Sequence, residues 1–264
     1  MNSIGGVNVS DMGIGTWGMG GKQAPDDRNH RESVEAIRYM VKNGATIIDT
    51  AEMYAAGHTE EIVGDAMEGL DRKNVFLITK VWNNHLRKND VSEALNSSLK
   101  RLRQDYVDLF LIHWPNPDIP IKETISAMEK LVEEGKTRMI GVSNFSVAQL
   151  KEAMEACSNH AIAANQIEYN YDRRDQESDI IPFCHANKVS VIAYSPIMRG
   201  KTNARILKEM AEKYSATPVQ VALKYVMKKS IPIPKSVSIS HLDELLGARA
   251  LNMKEEDYRK IAES

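Results

Sequence analysis

The stretch Thr46-Ile-Ile-Asp-Thr-Ala-Glu-Met-Tyr54 decides the fold of this chain. Its two isoleucines follow Gly44 and form a short apolar run, which is the pattern of a strand buried on both faces. Asp49 ends the run, and Tyr54 follows five residues later, beyond the strand. Later strands also end in one ionisable or amide side chain, so this stretch is one copy of a unit that recurs along the chain.

Size and charge limit the classes of protein that the chain can belong to. Its 264 residues suit one domain over residues 1–264, and α/β barrels commonly have this length. The formal charge of −2 gives no electrostatic reason to expect nucleic acid or an acidic membrane surface as a partner. No surface pattern marks a contact between subunits, so a monomer is the default expectation.

The same features predict a cytoplasmic protein. No apolar run approaches the roughly 18 residues of a membrane span, and the N-terminus does not resemble a signal peptide. Cys157 and Cys184 each lie in an apolar helical stripe, which indicates core thiols in a reducing compartment.

Outward from the first stretch, short apolar runs alternate with helical patterns. The predicted strands cover residues 12–17, 46–50, 75–80, 106–113, 137–142, 161–167, 189–194 and 231–234. Helices are expected over 29–43, from about 59, from a cap at Asn89, up to Gly135, from a cap at Ser146, and over 176–187, 203–214, 218–228, 240–250 and 254–262. Eight units predict a (β/α)8 TIM barrel with a short N-terminal hairpin and one or two extra helices; a doubly wound open sheet is the lesser alternative.

The first barrel strand contains a possible dinucleotide fingerprint. Gly13, Gly15 and Gly18 match the spacing Gly-x-Gly-x-x-Gly. That motif requires a helix to begin at the glycines, yet more glycines and Pro25 follow here. We interpret the match as accidental and the glycines as room for a group that packs close to the backbone.

Polar and aromatic side chains stand at the carboxyl ends of the predicted strands, where a barrel of this kind has its chemistry. They are Trp17, Asp49, Lys80, Trp82, His113, Trp114, Ser143, Asn144, Gln166, Tyr194, Ser195, Lys235 and Ser236. Any one of them has an ordinary structural explanation. An acid, a base and an imidazole on three adjacent strand ends are harder to explain by chance.

Carbonyl reduction is the chemistry that uses this set. Hydride arriving at carbon leaves an incipient alkoxide, which needs a proton donor within hydrogen-bond reach. We expect Tyr54 to be that donor, with a pKa brought down by the ammonium of Lys80. Asp49 would hold Lys80 charged and oriented, and His113 would bind the carbonyl oxygen and share in the proton relay.

The sequence lacks the residues that two competing mechanisms, metal-assisted reduction and hydrolysis by a Ser-His-Asp triad, would require. Metal-assisted reduction needs a ligand set, but neither Cys-x-x-Cys nor His-Glu-x-x-His occurs, and one histidine at the rim is insufficient for zinc. We therefore expect no metal. A hydrolase with a Ser-His-Asp triad is unsupported because no Gly-x-Ser-x-Gly elbow occurs.

At these residues the chain resembles the aldo-keto reductase family, as a short member of bacterial or archaeal type, and the match runs nearly end to end. The motifs are Gly15-Thr16-Trp17, Ile48-Asp49-Thr50-Ala51-x-x-Tyr54, Thr79-Lys80-x-Trp82, Ile112-His113-Trp114-Pro115, Gly141-Val142-Ser143-Asn144-Phe145, Gln166, Ala193-Tyr194-Ser195-Pro196 and Ile233-Pro234-Lys235-Ser236. The resemblance implies a catalytic tetrad of Asp49, Tyr54, Lys80 and His113. It also implies NAD(P)H-dependent interconversion of aldehydes or ketones with alcohols.

The resemblance implies the remaining contacts too. Ser143, Asn144 and Gln166 match groups that hold the nicotinamide carboxamide, and Tyr194 matches the aromatic that stacks on the ring. The cofactor-binding residues implied are Thr16, Trp17, Asp49, Ser143, Asn144, Gln166, Tyr194, Ser195, Pro196, Ile197, Gly200, Lys235, Ser236, Ser238 and His241. The substrate pocket implied is lined by Trp17, Tyr54, Trp82, His113 and Trp114, although Trp82 can also be read as rim packing.

Two departures from the family pattern affect the cofactor. The family usually has an arginine at the position of His241, where it clamps the 2′-phosphate, and Leu245 replaces a residue that commonly meets adenine. Lys235 and Ser236 still favour NADP(H), and NAD(H) stays open. A small aldehyde or ketone is the expected substrate, because the loops after His113 and Tyr194 are short. A nucleotide-binding regulatory subunit with little turnover is the alternative function.

Overall fold

Eight short strands lie parallel, in consecutive order, in one sheet of the computed structural model, which describes residues 2–200 and 204–264. A separate antiparallel hairpin precedes them. The hairpin strands are β1 (Asn2–Ile4) and β2 (Val7–Val9), and the sheet consists of β3 (Gly13–Gly15), β4 (Ile47–Asp49), β5 (Phe76–Val81), β6 (Val107–Ile112), β7 (Thr137–Ser143), β8 (Ile162–Glu168), β9 (Ser190–Tyr194) and β10 (Ile231–Pro232).

The sheet curls into a barrel, and its first and last strands meet at Gly15. The backbone N–H of Gly15 donates a hydrogen bond of 3.0 Å to the carbonyl oxygen of Pro234, just beyond β10. A Cβ at Gly15 would lie 2.8 Å from the carbonyl oxygen of Ile233, which is closer than side chains tolerate. The expected room for close packing at this glycine is therefore confirmed, and no helix begins at the glycine cluster, so the dinucleotide fingerprint is accidental.

Helices connect successive strands around the outside of the barrel. They are α1 (His30–Lys42), α2 (His58–Met67), α3 (Lys88–Leu102), α4 (Ile121–Glu133), α5 (Val147–Ala156), α6 (Ile180–Ala186), α7 (Arg205–Tyr214), α8 (Pro218–Met227), α9 (Ile239–Gly247) and α10 (Glu255–Ala262). The predicted (β/α)8 barrel with two extra helices is confirmed, because the strand order never reverses as it does in a doubly wound sheet. Residue 203, where the helix before α8 was predicted to begin, lies outside the described residues.

One predicted helix cap is present and another is wrong. Ser146 caps α5 through a capping box in which its hydroxyl and the Gln149 side chain serve each other's backbone N–H groups. Asn89 does not cap α3, which already begins at Lys88. The Lys88 N–H instead donates to the Glu123 carboxylate of α4, 3.2 Å away, so a side chain distant in sequence satisfies this helix end.

The inner face of the barrel is apolar below and polar at its mouth. Side chains two residues apart on a strand share a face. Asp49 therefore lies on the face of Ile47, and Lys80 on the face of Ile78, both isoleucines being fully buried in a small apolar cluster. Ile4 from the hairpin joins that cluster, so β1 and β2 cover the end of the barrel opposite the mouth. A larger apolar layer lies between strands and helices.

Within the described residues, no helix combines the length and the apolar character that crossing a bilayer requires.

Candidate active site

A buried ion pair connects the ends of β4 and β5. The ammonium of Lys80 donates to the Asp49 carboxylate at 2.7 Å and to the Thr50 carbonyl oxygen at 2.9 Å. Lys80 is 0% exposed and Asp49 is 2% exposed. Two charges this deep are tolerated only when each is paired and hydrogen-bonded. The carboxylate meets that condition with a second partner, the Gln166 amide, which donates to it at 2.7 Å.

Tyr54 reaches the same ammonium from a tight turn after β4. Lys80 Nζ donates to the Tyr54 hydroxyl oxygen at 3.1 Å. The turn is made by Ala55 (φ 48°), Ala56 (φ 54°) and Gly57 (φ 94°), all in the left-handed region. For the two alanines this conformation is unfavourable, and the backbone N–H of Ala55 holds it by donating to the Lys22 carbonyl oxygen at 2.9 Å. The strained turn fixes where the phenol lies.

The protonation of the phenol and the ammonium departs from the sequence-based expectation. Burial raises the pKa of Tyr54 above its ordinary value, and the charge of Lys80 offsets only part of that rise. The predicted lowering by Lys80 therefore has the right sign but is outweighed by burial. Burial alone would lower the pKa of Lys80, but Asp49 and Tyr54 outweigh it and leave that pKa raised. The site thus holds a neutral phenol beside an ammonium.

His113, just beyond β6, is a neutral imidazole. Burial lowers its pKa to about 2, and the positive charge of Lys80 contributes to the shift. Its Nδ1 atom is buried and has no hydrogen-bond partner among the described residues. A neutral ring can still donate from one nitrogen, so His113 is suited to binding an oxygen atom rather than to supplying a charge.

Aromatic rings form a continuous series across the mouth. The ring centroids of Trp17 and Tyr54 are 4.9 Å apart, those of Tyr54 and His113 5.6 Å, and those of His113 and Trp82 5.2 Å, all edge to face. Trp114 is exposed, and no ring contact in the described part of the chain joins it to the series. Four of the five predicted pocket residues thus come together, and Trp114 stands apart.

Glu52 also belongs to this rim, although it was not among the residues predicted from the sequence. Its carboxylate accepts the backbone N–H of Trp82 at 2.5 Å and lies 3.0 Å from Nδ1 of His85. It therefore fixes the loop after β5 against the turn that carries Tyr54. Glu52 could have been noticed, since it lies inside the Asp49–Tyr54 motif. Nothing in the sequence, however, indicated that it would contact the backbone of Trp82.

The predicted carboxamide-binding residues form one hydrogen-bonded group. Asn144 adopts φ 63° and donates from its amide to the His113 carbonyl oxygen and the Ser143 hydroxyl, each at 3.0 Å. The Tyr194 hydroxyl donates to the Asn144 side-chain oxygen at 2.9 Å. The structure therefore places these residues together with Gln166, whose backbone carbonyl accepts from Ser143 at 2.9 Å. Amide and hydroxyl groups of this kind fit a carboxamide, which needs both donors and acceptors.

Thr16 follows β3, and the predicted cofactor residues from Ser195 to Gly200 follow β9. The Thr16 hydroxyl donates to the Asp49 carbonyl oxygen at 2.8 Å, which holds the end of β3 beside β4. Ser195 is exposed and left-handed (φ 51°), Pro196 is buried and Ile197 is half-buried. The chain then turns at Gly200, whose N–H donates to the Ile197 carbonyl oxygen at 2.7 Å.

The first turn of α9 presents backbone N–H groups near the predicted phosphate-binding residues. Ser238 is its N-cap, but no side chain caps the helix, and the Ser236 hydroxyl accepts the Ser238 N–H at 3.1 Å. Uncapped N–H groups at a helix start favour an anion. Lys235 has no carboxylate partner among the described residues, and burial lowers its pKa. His241 is exposed in the same turn. These groups fit a phosphate.

A parallel eight-stranded barrel whose mouth carries a buried lysine–aspartate pair, a neutral phenol and a neutral imidazole defines an enzyme of the carbonyl-reducing class. The chain belongs to the aldo/keto reductase family, whose sequence model matches residues 11–264.

Individual relatives agree over nearly the full length. Methylglyoxal reductase YeaE of Escherichia coli is 36% identical over 248 residues, covering 91% of this chain and 85% of that protein. Glyoxal reductase of Bacillus subtilis is 33% identical over 260 residues, covering 97% and 89%. A thermostable aldo-keto reductase crystallised with the inhibitor epalrestat has a TM-score of 0.95 at 41% identity, covering 99% of this chain and 98% of that one. An aldo-keto reductase from Klebsiella pneumoniae in complex with NADPH has a TM-score of 0.91 at 35% identity, covering 98% and 93%.

Proposed function

We propose that this protein reduces small aldehydes of the α-oxoaldehyde type, such as methylglyoxal and glyoxal, to alcohols with NADPH. The observation that carries the proposal is the Tyr54 hydroxyl, neutral and 3.1 Å from the buried ammonium of Lys80. Relatives with the names methylglyoxal reductase and glyoxal reductase support the substrate class. The aldo-keto reductase solved with NADPH supports the cofactor, as do the donor groups around Lys235.

Each residue of the proposed tetrad has one task. NADPH, when bound, supplies the hydride. Tyr54 transfers its phenolic proton to the carbonyl oxygen as charge develops there, and Lys80 stabilises the phenolate that remains. Asp49 keeps the ammonium charged and in place through its 2.7 Å contact. His113 donates a hydrogen bond to the same carbonyl oxygen and thereby orients it.

The mouth of the barrel supports small substrates. Trp17 and Trp114 are 40% and 42% exposed, so the rim is open where these rings stand. An open rim gives a short aldehyde access without offering a deep apolar channel to a bulky one. A steroid that was turned over orders of magnitude faster than methylglyoxal would contradict this substrate class.

Tyr54→Phe tests the proton-donor role. Loss of the hydroxyl should lower kcat with methylglyoxal by roughly 10²- to 10⁴-fold, the usual contribution of general acid catalysis. The dissociation constant of NADPH, measured by quenching of tryptophan fluorescence, should stay within about twofold. Tyr258→Phe on α10 is the matched control and should change neither quantity. Equal losses of turnover and cofactor binding in Tyr54→Phe would refute the assignment.

The regulatory-subunit alternative has no support among the relatives named above. A cytoplasmic location and a monomeric state stay predictions from the sequence.

A further inference from the structure

Two histidines outside the barrel mouth lie close to one aspartate, between the starts of α1 and α2. Asp27 begins a short helical turn that leads into α1, His30 is the first residue of α1, and His58 is the first residue of α2. His58 Nε2 is 2.8 Å from an Asp27 carboxylate oxygen, and His30 Nδ1 is 3.7 Å from the same oxygen. The three atoms lie within 4.8 Å of one another, and no other trio of His, Cys, Asp or Glu within residues 2–200 and 204–264 does so.

The remaining nitrogen of each ring contacts a further carboxylate. His58 Nδ1 is 2.8 Å from a Glu61 oxygen, and His30 Nε2 is 2.8 Å from an Asp65 oxygen. Metal-binding histidines almost always donate their second ring N–H to such a group, which fixes the tautomer and the orientation of the ring. Both rings are therefore oriented with one nitrogen each toward Asp27.

We propose that Asp27, His30 and His58 bind one divalent transition-metal ion, and that Zn²⁺ fits best. Zinc takes imidazole nitrogen and carboxylate oxygen at about 2.0–2.2 Å, and tetrahedral ligands at that radius are about 3.3 Å apart. The two distances to Asp27, 2.8 and 3.7 Å, lie on either side of this value. All three ligand atoms lie within 4.8 Å of one another, so the side chains would have to draw together around a bound ion. Three protein ligands leave a fourth position for water.

The charge of the cluster suits a dication. Asp65 is paired with Arg103 at 2.7 Å. Asp27 and Glu61, in contrast, have no lysine or arginine partner anywhere in the described chain. Metal binding requires neutral imidazoles. The ion would then face the two carboxylates of Asp27 and Glu61, and its charge of +2 balances theirs. The expectation of no metal rested on the absence of Cys-x-x-Cys and His-Glu-x-x-His and on the single histidine at the rim, and these three ligands lie outside both patterns.

The site is accessible from solvent. The Asp27 side chain is 78% exposed, whereas that of His58 is 14% exposed. An ion can thus enter from the Asp27 side, while the two rings stay fixed against the protein.

The surrounding hydrogen bonds hold the two helix starts in place. Next to His58, the Thr59 hydroxyl donates to the Met19 carbonyl oxygen at 2.7 Å. Next to His30, the Asn29 side chain accepts the Gly20 N–H at 3.3 Å. A bound ion would tie the loop after β3 to the start of α2, which follows the Tyr54 turn directly.

The test is a titration of untagged, chelator-stripped, full-length protein with zinc alone, followed by isothermal calorimetry. One equivalent should bind, and thermal unfolding should shift to higher temperature with zinc concentration. Cobalt added in place of zinc should give the intense visible absorption of tetrahedral Co²⁺, a readout independent of enzyme activity. Absence of a saturable single equivalent would overturn the proposal and leave the cluster as a set of ion pairs.

Variants distinguish specific binding at this site from nonspecific binding of zinc to surface histidines. His30→Ala and Asp27→Asn should each weaken zinc binding at least about tenfold, and Glu61→Ala by roughly 10- to 100-fold through the orientation of His58. His185→Ala removes an exposed histidine on α6 and should leave the zinc affinity unchanged. If His30→Ala binds zinc as tightly as His185→Ala, the proposal is wrong. Because Asp27 and His30 lie at the surface, their variants are expected to fold.

Discussion

Replacing Lys80 by methionine should destabilise the fold as well as abolish turnover. Methionine keeps the length of the side chain but removes the ammonium. Asp49, only 2% exposed, is then left with the Gln166 amide as its one remaining side-chain partner in the described residues. A buried carboxylate without a countercharge is far more costly than an intact pair.

The loss of stability in Lys80→Met can be estimated from the hydrogen bonds that Lys80 makes. Lys80 makes hydrogen bonds of 2.7, 2.9 and 3.1 Å to Asp49, Thr50 and Tyr54 and is completely enclosed. Hydrogen bonds to charged groups contribute about 1.5–3 kcal/mol each, and breaking a buried pair from one side costs about 3–5 kcal/mol. We therefore expect Lys80→Met to lower the free energy of unfolding by about 3–5 kcal/mol.

Urea unfolding at pH 7 without cofactor measures this quantity from the midpoint and slope of the transition. Adding Asp49→Asn removes the uncompensated charge, so the double variant should be more stable than the sum of the two single losses by about 1–3 kcal/mol. Lys73→Met, at an exposed lysine, is the control and should stay within about 0.5 kcal/mol of the original protein. A loss below about 1 kcal/mol in Lys80→Met, or strict additivity in the double variant, would refute this reasoning.

Three further predictions concern the contact between the first and last barrel strands at Gly15, the imidazole of His113, and Lys235 in the predicted cofactor site. Gly15→Ala should lower the free energy of unfolding by about 1–3 kcal/mol, because its Cβ would lie 2.8 Å from the Ile233 carbonyl oxygen; chemical denaturation checks this, and an unchanged midpoint contradicts it. Since the pKa of His113 is about 2 when folded and 6.5 ordinarily, the unfolded chain binds its proton first, and stability should fall by roughly 1 kcal/mol per pH unit below pH 6.5. His113→Asn should flatten that slope in urea titrations between pH 4.5 and 7. Lys235→Ala should raise the KM for NADPH by roughly 10- to 100-fold and leave that for NADH nearly unchanged; an equal rise for both would exclude a role at the 2′-phosphate.

The sequence predicted correctly that the polar residues at the strand ends come together, and the reason is physical. Parallel strands bring their carboxyl ends to one side, so Asp49 and Lys80 had to meet once the strands were recognised as neighbours. The same periodicity could not reveal that burial would outweigh Lys80 in setting the pKa of Tyr54, because that balance depends on how completely the mouth is enclosed.

Contacts between loops could not be predicted from the sequence. Glu52 contacts the backbone of Trp82, and Glu123 satisfies the start of α3 in place of the predicted Asn89 cap. Both partnerships join segments about thirty or more residues apart in the chain, with no periodic pattern to indicate them. The positive φ of Asn144 was equally hidden, since a non-glycine residue in that region is set by its hydrogen bonds.

The contact between Gly15 and Pro234 has a consequence for biosynthesis. A ribosome that adds 5–20 residues per second needs roughly ten to forty seconds to proceed from one partner to the other. During that interval β3 is an unpaired edge, and the half-built sheet presents an open, apolar flank to other nascent chains. Chaperone demand in the cell should therefore depend on how quickly the stretch between Gly15 and Pro234 is translated.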